Sequence, residues 1–130
     1  MSIVLVTGGA GFIGSHFVPM ALTSGSRVRV IDSRSPQVHG KNALYSPPTS
    51  VEFIKGDVAN RADIATALEG VDAIVHLAAE TGTGQSMYEI DRYYRVNVQA
   101  TALLFDILAN KPHRVKKIVL ASSRSVYGEG

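Results

Sequence analysis

Residues 4–16 read VLVTGGAGFIGSH, an apolar run followed by four glycines within seven positions. The run from Ile3 to Thr7 is aliphatic and β-branched, which is typical of a strand buried on both faces. From Phe12 onward the apolar residues follow helical spacing. The stretch therefore predicts a strand, a tight glycine-rich turn and a helix. In that arrangement the helix N-terminus is able to bind an anion.

The remaining sequence repeats the alternation of apolar strands and helical segments. Further strands are predicted at residues 27–31, 51–55, 73–77 and 116–122, and helices at 12–24, 61–68 (with Asn60 as N-cap) and 87–110. Each strand is almost continuously apolar, which favours a parallel sheet covered by helices on both faces. Right-handed crossovers then predict a doubly wound α/β fold of the Rossmann type, with strand order 3-2-1-4-5, as one domain over residues 1–130. Residues 33–50 form an unusually long polar connection, which predicts a functional or mobile loop.

Composition excludes several classes of protein. The 130 residues are 45% hydrophobic and 18% charged, with a net charge of +2 and no cysteine. A chain of this kind is expected to be globular, without disulfides or a thiolate metal site, and a cytoplasmic location is predicted. No apolar run reaches the ~20 residues of a membrane span, and the first residues do not resemble a signal peptide. Neither nucleic-acid binding nor a metal site is expected, since the basic residues are scattered and the four histidines lack ligand spacing.

The glycine loop allows two anion-binding interpretations. A phosphate-binding loop requires Lys followed by Ser or Thr after its last glycine, but Ser15-His16 stands there. The dinucleotide interpretation fits, because the loop follows a strand and opens a helix. Its glycines match two registers, Gly9-x-Gly11-x-x-Gly14 and Gly8-x-x-Gly11-x-x-Gly14.

An acidic residue at the end of the second strand supports the dinucleotide interpretation. Asp32 lies 18 residues after Gly14, where a carboxylate accepts hydrogen bonds from the hydroxyls of the adenosine ribose. Because this carboxylate would repel a 2′-phosphate, NAD is favoured over NADP as the cofactor. Arg34 is interpreted as a solvated loop residue, although an arginine there is able to accommodate a 2′-phosphate. Asp57, after the third strand, is either a turn residue or a neighbour of the adenine.

Several motifs together resemble the extended short-chain dehydrogenase/reductase family, which includes the nucleotide-sugar epimerases and dehydratases. They are residues 7–14 (TGGAGFIG), 56–58 (GDV), 76–79 (HLAA), 97–98 (NV) and 122–128 (SSRSVYG). The resemblance implies the register Gly8, Gly11 and Gly14, with the backbone of Phe12 and Ile13 near the pyrophosphate. It also implies cofactor contacts at or beside Asp32, Ser33, Asp57, Val58, Leu77, Ala78, Ala79, Asn97 and Ser122.

The resemblance further implies a chemistry based on Ser or Thr with a Tyr-x-x-x-Lys pair. In that family the lysine lowers the pKa of the tyrosine, whose phenolate accepts a proton from the sugar while hydride passes to NAD. Ser123 matches the hydroxyl residue, and its alternative interpretation is a polar strand end. No Tyr-x-x-x-Lys pair occurs in residues 1–130. The chain is therefore predicted to be the N-terminal, cofactor-binding part of an enzyme, inactive by itself and lacking the substrate-binding region.

The predicted reaction is epimerization of a nucleotide-sugar substrate by transient oxidation at C4. The resembling dehydratases carry Asp-Glu after the hydroxyl residue, and here Arg124-Ser125 disfavours dehydration. The alternatives are a 4-ketoreductase or dehydratase of the same family, and a non-catalytic NAD-binding sensor module. A homodimer through the helix after Met87 is a further possibility. Residues 80–86 form either a substrate-contacting loop or a simple connection.

Overall fold

Five parallel strands form one sheet in the order β3-β2-β1-β4-β5, which confirms the predicted topology. The computed structural model describes residues 1–35 and 46–128. The strands are β1 (Ile3–Thr7), β2 (Arg27–Asp32), β3 (Glu52–Lys55), β4 (Ala73–His76) and β5 (Lys117–Leu120). Thr7, at the end of β1, lies opposite Ile31 of β2 and His76 of β4. The carboxyl ends of the three central strands therefore coincide at one edge of the sheet.

Helices cover both faces of this sheet. In chain order they are α1 (Phe12–Thr23), α2 (Arg61–Ala67), α3 (Thr83–Ser86), α4 (Ile90–Tyr94) and α5 (Ala100–Asn110), with a 3-10 turn at Arg124–Tyr127. Alternate residues of β1 point to opposite faces. Val6 packs in the hydrophobic cluster that includes Val18 of α1. Leu5 packs in the cluster that includes Ile64 of α2 and Leu104 of α5.

The helix predicted over residues 87–110 is not continuous, so this prediction was wrong in detail. Helical structure begins earlier, at Thr83, and is interrupted between Ser86 and Ile90. The turn at Arg95–Gln99 is π-helical rather than α-helical. Within that turn the side chain of Asn97 binds both backbone polar groups of Glu80. Local apolar spacing does not distinguish a π-helical turn from an α-helical one, so this turn could not be predicted from the pattern.

Arg29 departs from the predicted apolar character of β2. Its side chain is buried, forms an ion pair with Glu52 at 2.9 Å, and donates hydrogen bonds to the carbonyl oxygens of Ala67 and Glu69. These carbonyls lie at the end of α2 and after it, where helical C=O groups lack intrahelical partners. Arg29 therefore joins the sheet to the C-terminus of α2.

Two further sequence predictions concern connections. Asn60 caps α2 as predicted, since its Oδ1 accepts hydrogen bonds from the amides of Ala62 and Asp63. The centre of the long polar connection, residues 36–45, lies outside the described residues. In the part of the chain that the structure describes, no helix is long and apolar enough to cross a membrane. The same part contains no group of three or more acidic, histidine or cysteine residues able to hold a metal ion.

Candidate functional site

A cavity of about 720 Å³ opens at the carboxyl edge of β1, β2 and β4. Its volume lies within the range of small-molecule and cofactor sites. Ligands of doubly wound sheets bind at this edge, where the strand order reverses. The predicted site residues that line it are Gly8, Gly11, Phe12, Ile13, Gly14, Asp32, Ser33, Asp57, Val58, Leu77, Ala78 and Ala79.

The glycine loop reaches the cavity by close backbone approaches. Gly8 has φ +67°, and a Cβ there would lie 2.8 Å from the Cα of Ala78. A Cβ on Gly14 would overlap the backbone of Gly9, so only glycine lets α1 begin this close to the loop. Gly9 itself packs against the side chain of Val30, and a Cβ there would meet it at 2.7 Å. Gly8, Gly11 and Gly14 are thus the glycines of this loop that line the cavity, in the register that the family resemblance implies.

The N-terminus of α1 faces the same cavity. Gly11 is its N-cap residue and has no side chain with which to cap the first amides. The first turn, Phe12 to Gly14, lines the cavity and carries no acidic residue. Unpaired N–H groups and the positive end of the helix dipole attract anions. The arrangement therefore suits a phosphate or pyrophosphate group.

Asp32 connects the glycine loop to the end of β2. The residue is 7% exposed, and its Oδ2 accepts from the amide of Ala10 at 3.0 Å and its Oδ1 from the amide of Arg34 at 2.7 Å. The carboxylate therefore fixes the loop conformation as well as lining the cavity. The interpretation of Arg34 as a solvated residue was wrong, since it is partly buried and its guanidinium stacks on the ring of Phe53.

Asp57 is a turn residue that also lines the cavity, and its place beside the adenine stays a prediction. Its Oδ1 accepts from the amide of Ala59 at 2.9 Å, as in an ordinary aspartate turn. Its Oδ2 pairs with Arg95 at 2.8 Å, and both residues line the cavity. The ion pair places a guanidinium at this end of the site.

A second arginine orders the loop after β4. Arg92 pairs with Glu80 at 3.0 Å and Glu89 at 2.9 Å, and donates to the hydroxyl of Ser35 at 3.3 Å. The hydrogen bond that Arg92 donates to the Glu80 carboxylate raises the pKa of Arg92 further above its usual range, so the guanidinium stays charged. Sequence reasoning missed Arg92 and Arg95, although their three-residue spacing places both on one side of a helix.

Asn97 is near the cavity without being part of its lining. Its Oδ1 accepts from the amide of Glu80 at 2.8 Å, and its Nδ2 donates to the carbonyl oxygen of the same residue at 3.0 Å. Glu80 does line the cavity. Asn97 therefore positions the loop after β4 by clamping its backbone.

A buried polar chain runs beneath the site from β1 to α5. The hydroxyl of Thr7 accepts from the amides of Leu77 and Ala78, so its own hydrogen is directed to Nδ1 of His76 at 2.8 Å. Nε2 of His76 then donates to the hydroxyl of Thr101 at 3.1 Å. His76 is 4% exposed, and burial lowers the pKa of its imidazole. The neutral ring is the form that fits this chain of hydrogen bonds.

The predicted catalytic hydroxyl lies after β5, at the opposite end of the site from Asp57. Ala121 lines the cavity, whereas Ser122 and Ser123 follow it and are exposed. The Oγ of Ser123 accepts from the amide of Ser125 at 3.1 Å and caps the 3-10 turn. This contact matches the interpretation of Ser123 as a polar strand end and leaves its catalytic role a prediction.

A glycine-rich strand–turn–helix, an acidic residue ending β2 and a cavity at the switch in strand order define a dinucleotide-binding α/β domain. Comparison with known proteins gives its family. Residues 4–130 match the family described as "NAD dependent epimerase/dehydratase family". The chain belongs to this family.

Three similar proteins illustrate the family's range. The chain is 41% identical to dTDP-L-rhamnose 4-epimerase of Burkholderia thailandensis, over 98% of this chain and 36% of that protein. It is 36% identical to dTDP-glucose 4,6-dehydratase of Streptomyces niveus, over 96% of this chain and 39% of that protein. The crystal structure of Thermus thermophilus UDP-glucose 4-epimerase with NAD superposes with a TM-score of 0.79 at 31% identity, covering 93% of this chain and 37% of that one. The chain thus spans little more than a third of these proteins.

The buried histidine yields a prediction about stability. An unfolded histidine takes up a proton as the pH falls through about 6.5, whereas folded His76 resists protonation to lower pH. The free energy of unfolding should therefore fall below pH 6.5 until the folded pKa is reached, by about 1.4 kcal/mol for each unit between the two pKa values. Urea unfolding at pH 7.5 and 5.5 measures this difference.

His76→Gln should reduce the fall in stability, and His113→Gln is its matched control because His113 is exposed. An equally steep fall in the wild type and in His76→Gln would contradict the role assigned to His76.

Proposed function

We propose that the chain is the cofactor-binding part of an NAD-dependent nucleotide-sugar 4-epimerase. The observation that carries the proposal is the cavity at the carboxyl edge of the sheet. Gly8, Gly11 and Gly14 carry no side chain that would fill it, and Asp32 lies beside them. A cavity with this lining fits a dinucleotide, since its glycine end suits a pyrophosphate and its acidic end suits ribose hydroxyls. Relatives named as 4-epimerases, and a neighbour crystallised with NAD, support the same proposal.

Different groups of residues would bind different parts of the dinucleotide. The backbone around Gly11, Phe12 and Ile13 would bind the pyrophosphate, and Asp32 and Ser33 the adenosine ribose. Asp57 and Val58 would border the adenine, while Leu77, Ala78 and Ala79 would line the nicotinamide ribose. When bound, NAD would supply the hydride acceptor for oxidation of the sugar.

At the reacting end, Ser123 would hold the oxygen at C4 of the sugar through its hydroxyl. In an epimerase the oxidised sugar must be reduced again from its opposite face, so the cofactor has to remain bound throughout. The arginine-braced loops at Glu80 and Asp57 would favour such retention, because each is tied to the helical segment by an ion pair. Dehydration stays disfavoured by Arg124-Ser125, which offers no acid for the elimination of water. A cytoplasmic location stays a prediction of the sequence.

The first test of this proposal concerns cofactor choice. In fluorescence titrations we expect NADH to bind more tightly than NADPH, because the Asp32 carboxylate repels a 2′-phosphate. Asp32→Asn should narrow the ratio of the two dissociation constants roughly tenfold, equivalent to about 1.4 kcal/mol. Asp32→Ala should reduce this ratio by a similar factor. It should also weaken the binding of both dinucleotides, since the amides of Ala10 and Arg34 lose their acceptor.

Glu69→Gln serves as the charge-matched control, because it removes one negative charge at an exposed position away from the cavity. Equal affinities of the wild type for NADH and NADPH would refute the role given to Asp32.

The second test separates an enzyme from a cofactor sensor. Residues 1–130 alone should convert no UDP- or dTDP-hexose, since they contain no Tyr-x-x-x-Lys pair. A longer protein that carries the pair after Gly130 should form the 4-epimer, which NMR detects, and Ser123→Ala should reduce kcat by roughly two to four orders of magnitude. A longer reading frame without the pair, binding NADH but inert toward sugars, would favour the sensor.

We also propose that the protein forms a homodimer through the helical segment after Met87. Apolar side chains occur at spacings of four, four and seven residues along it, at Ile90, Tyr94, Val98 and Phe105, and are 45–69% exposed. Such a stripe is able to bury against the same stripe of a second copy. Light scattering after size-exclusion chromatography should give the mass of a dimer for the wild type and of a monomer for Val98→Glu.

Gln99→Glu introduces the same charge at a polar, exposed position of the same turn and should leave the dimer intact. A monomeric wild type, or a Val98→Glu dimer, would contradict this arrangement.

A further inference from the structure

Arg34 has an unusual backbone conformation at the edge of the candidate site. Its φ is +51°, and it is the one non-glycine residue with positive φ among residues 1–35 and 46–128. L-residues rarely adopt this left-handed conformation. The hydrogen bond from the Arg34 amide to Oδ1 of Asp32, at 2.7 Å, accompanies it. The carboxylate that borders the cavity thus also fixes the backbone from which the arginine side chain departs.

The side chain of Arg34 leads away from the cavity to the neighbouring strand. Its Cζ lies 4.6 Å from the centre of the Phe53 ring in β3, within the range of a cation–π interaction. Phe53 is anchored, since it packs on the hydrophobic cluster beneath α1. Ser33 and Ser35, on either side of Arg34, line the cavity, and Arg34 does not.

The position of this guanidinium affects how a phosphate would be received at the ribose end of the site. Arg34 follows Asp32 by two residues, and an arginine in this region of a dinucleotide site is able to bind a 2′-phosphate. A guanidinium turned toward the cavity would offer paired donors to a phosphate. A guanidinium held on Phe53 does not offer these donors there.

We propose that Phe53 is a specificity-determining residue, which disfavours NADP by holding the Arg34 guanidinium away from the ribose end of the site. Phe53 is a positioning residue, because it acts through Arg34 and does not line the cavity. The inference rests on the proposed binding of NAD and extends it to a residue of β3 that no cofactor motif contains.

Direct titration of the intact protein with NADH and NADPH tests the inference. Phe53→Leu keeps an apolar side chain and removes the aromatic face, so NADPH should gain about two- to fivefold in affinity relative to NADH. Phe53→Tyr retains the aromatic face and should keep the wild-type ratio. Phe17→Leu is the matched control, since Phe17 packs on the same hydrophobic cluster.

A cycle with Arg34→Leu separates positioning from packing. In the Arg34→Leu background, Phe53→Leu should leave the ratio of dissociation constants unchanged. An unchanged ratio in Phe53→Leu alone, or an equal change in Phe17→Leu, would overturn the inference.

Arg34→Leu by itself provides a test that does not depend on the folding of a Phe53 variant. It should leave the preference for NADH as it is, because the wild-type arginine does not reach the phosphate. Selective loss of NADPH affinity in this variant would overturn the inference. Failure of the wild type to bind either dinucleotide would instead refute the proposed function, so the two failures are distinguishable.

Discussion

At Gly8 the backbone of the β1–α1 loop passes so close to the end of β4 that a methyl group would lie 2.8 Å from the Cα of Ala78. The approach is held from below by Thr7, whose hydroxyl accepts from the amides of Leu77 and Ala78. The same hydroxyl hydrogen-bonds to Nδ1 of His76, whose Nε2 in turn hydrogen-bonds to Thr101 of α5. These contacts link the loop, the strand and the helix that together surround the cavity.

A second constraint acts at the end of β2, where the Asp32 carboxylate both holds the backbone and lines the cavity. Asp32 accepts from the amides of Ala10 and Arg34, and it also places a carboxylate in the lining of the cavity, where the proposed function has it recognise the ribose. Structural and recognition roles are therefore coupled in this residue, and removing it disturbs both. Asp32→Asn removes the charge but keeps a hydrogen-bond acceptor, whereas Asp32→Ala removes both. Comparing the two variants therefore separates the two roles.

The parts of the structure that were predictable from sequence are those governed by local pattern. Continuous apolar runs revealed the five strands, alternation with helices gave their order, and Asn60 was recognisable as a cap because capping depends on residues two and three positions away. The glycine register was open on spacing alone, since Gly8 and Gly9 fit equally well. Only the packing of Gly9 against Val30 and of Gly8 against Ala78 distinguishes them in space.

The parts that could not be predicted depend on partners far apart in the chain. Arg95 meets Asp57 across 38 residues, and Asn97 meets Glu80 across 17, so neither pairing leaves a periodic signal. The π-helical turn at Arg95–Gln99 contains Asn97 and therefore coincides with one of these contacts. Arg34 was misread for a similar reason, since the ring on which it rests belongs to the next strand.

The two arginine pairings lie at the same side of the site, so its two ends are stabilised differently. Arg92 and Arg95 both leave the helical segment toward carboxylates on the loops after β4 and β3, so ion pairs brace these two loops across the sheet edge. The opposite end, at Ala121 and Ser123, has a hydroxyl that caps its own turn and no comparable brace among the described residues. The braced part of the cavity edge therefore lies at the loops after β3 and β4. Under the proposed function, the chemistry at the Ser123 end needs a Tyr-x-x-x-Lys pair, which residues 1–130 do not contain.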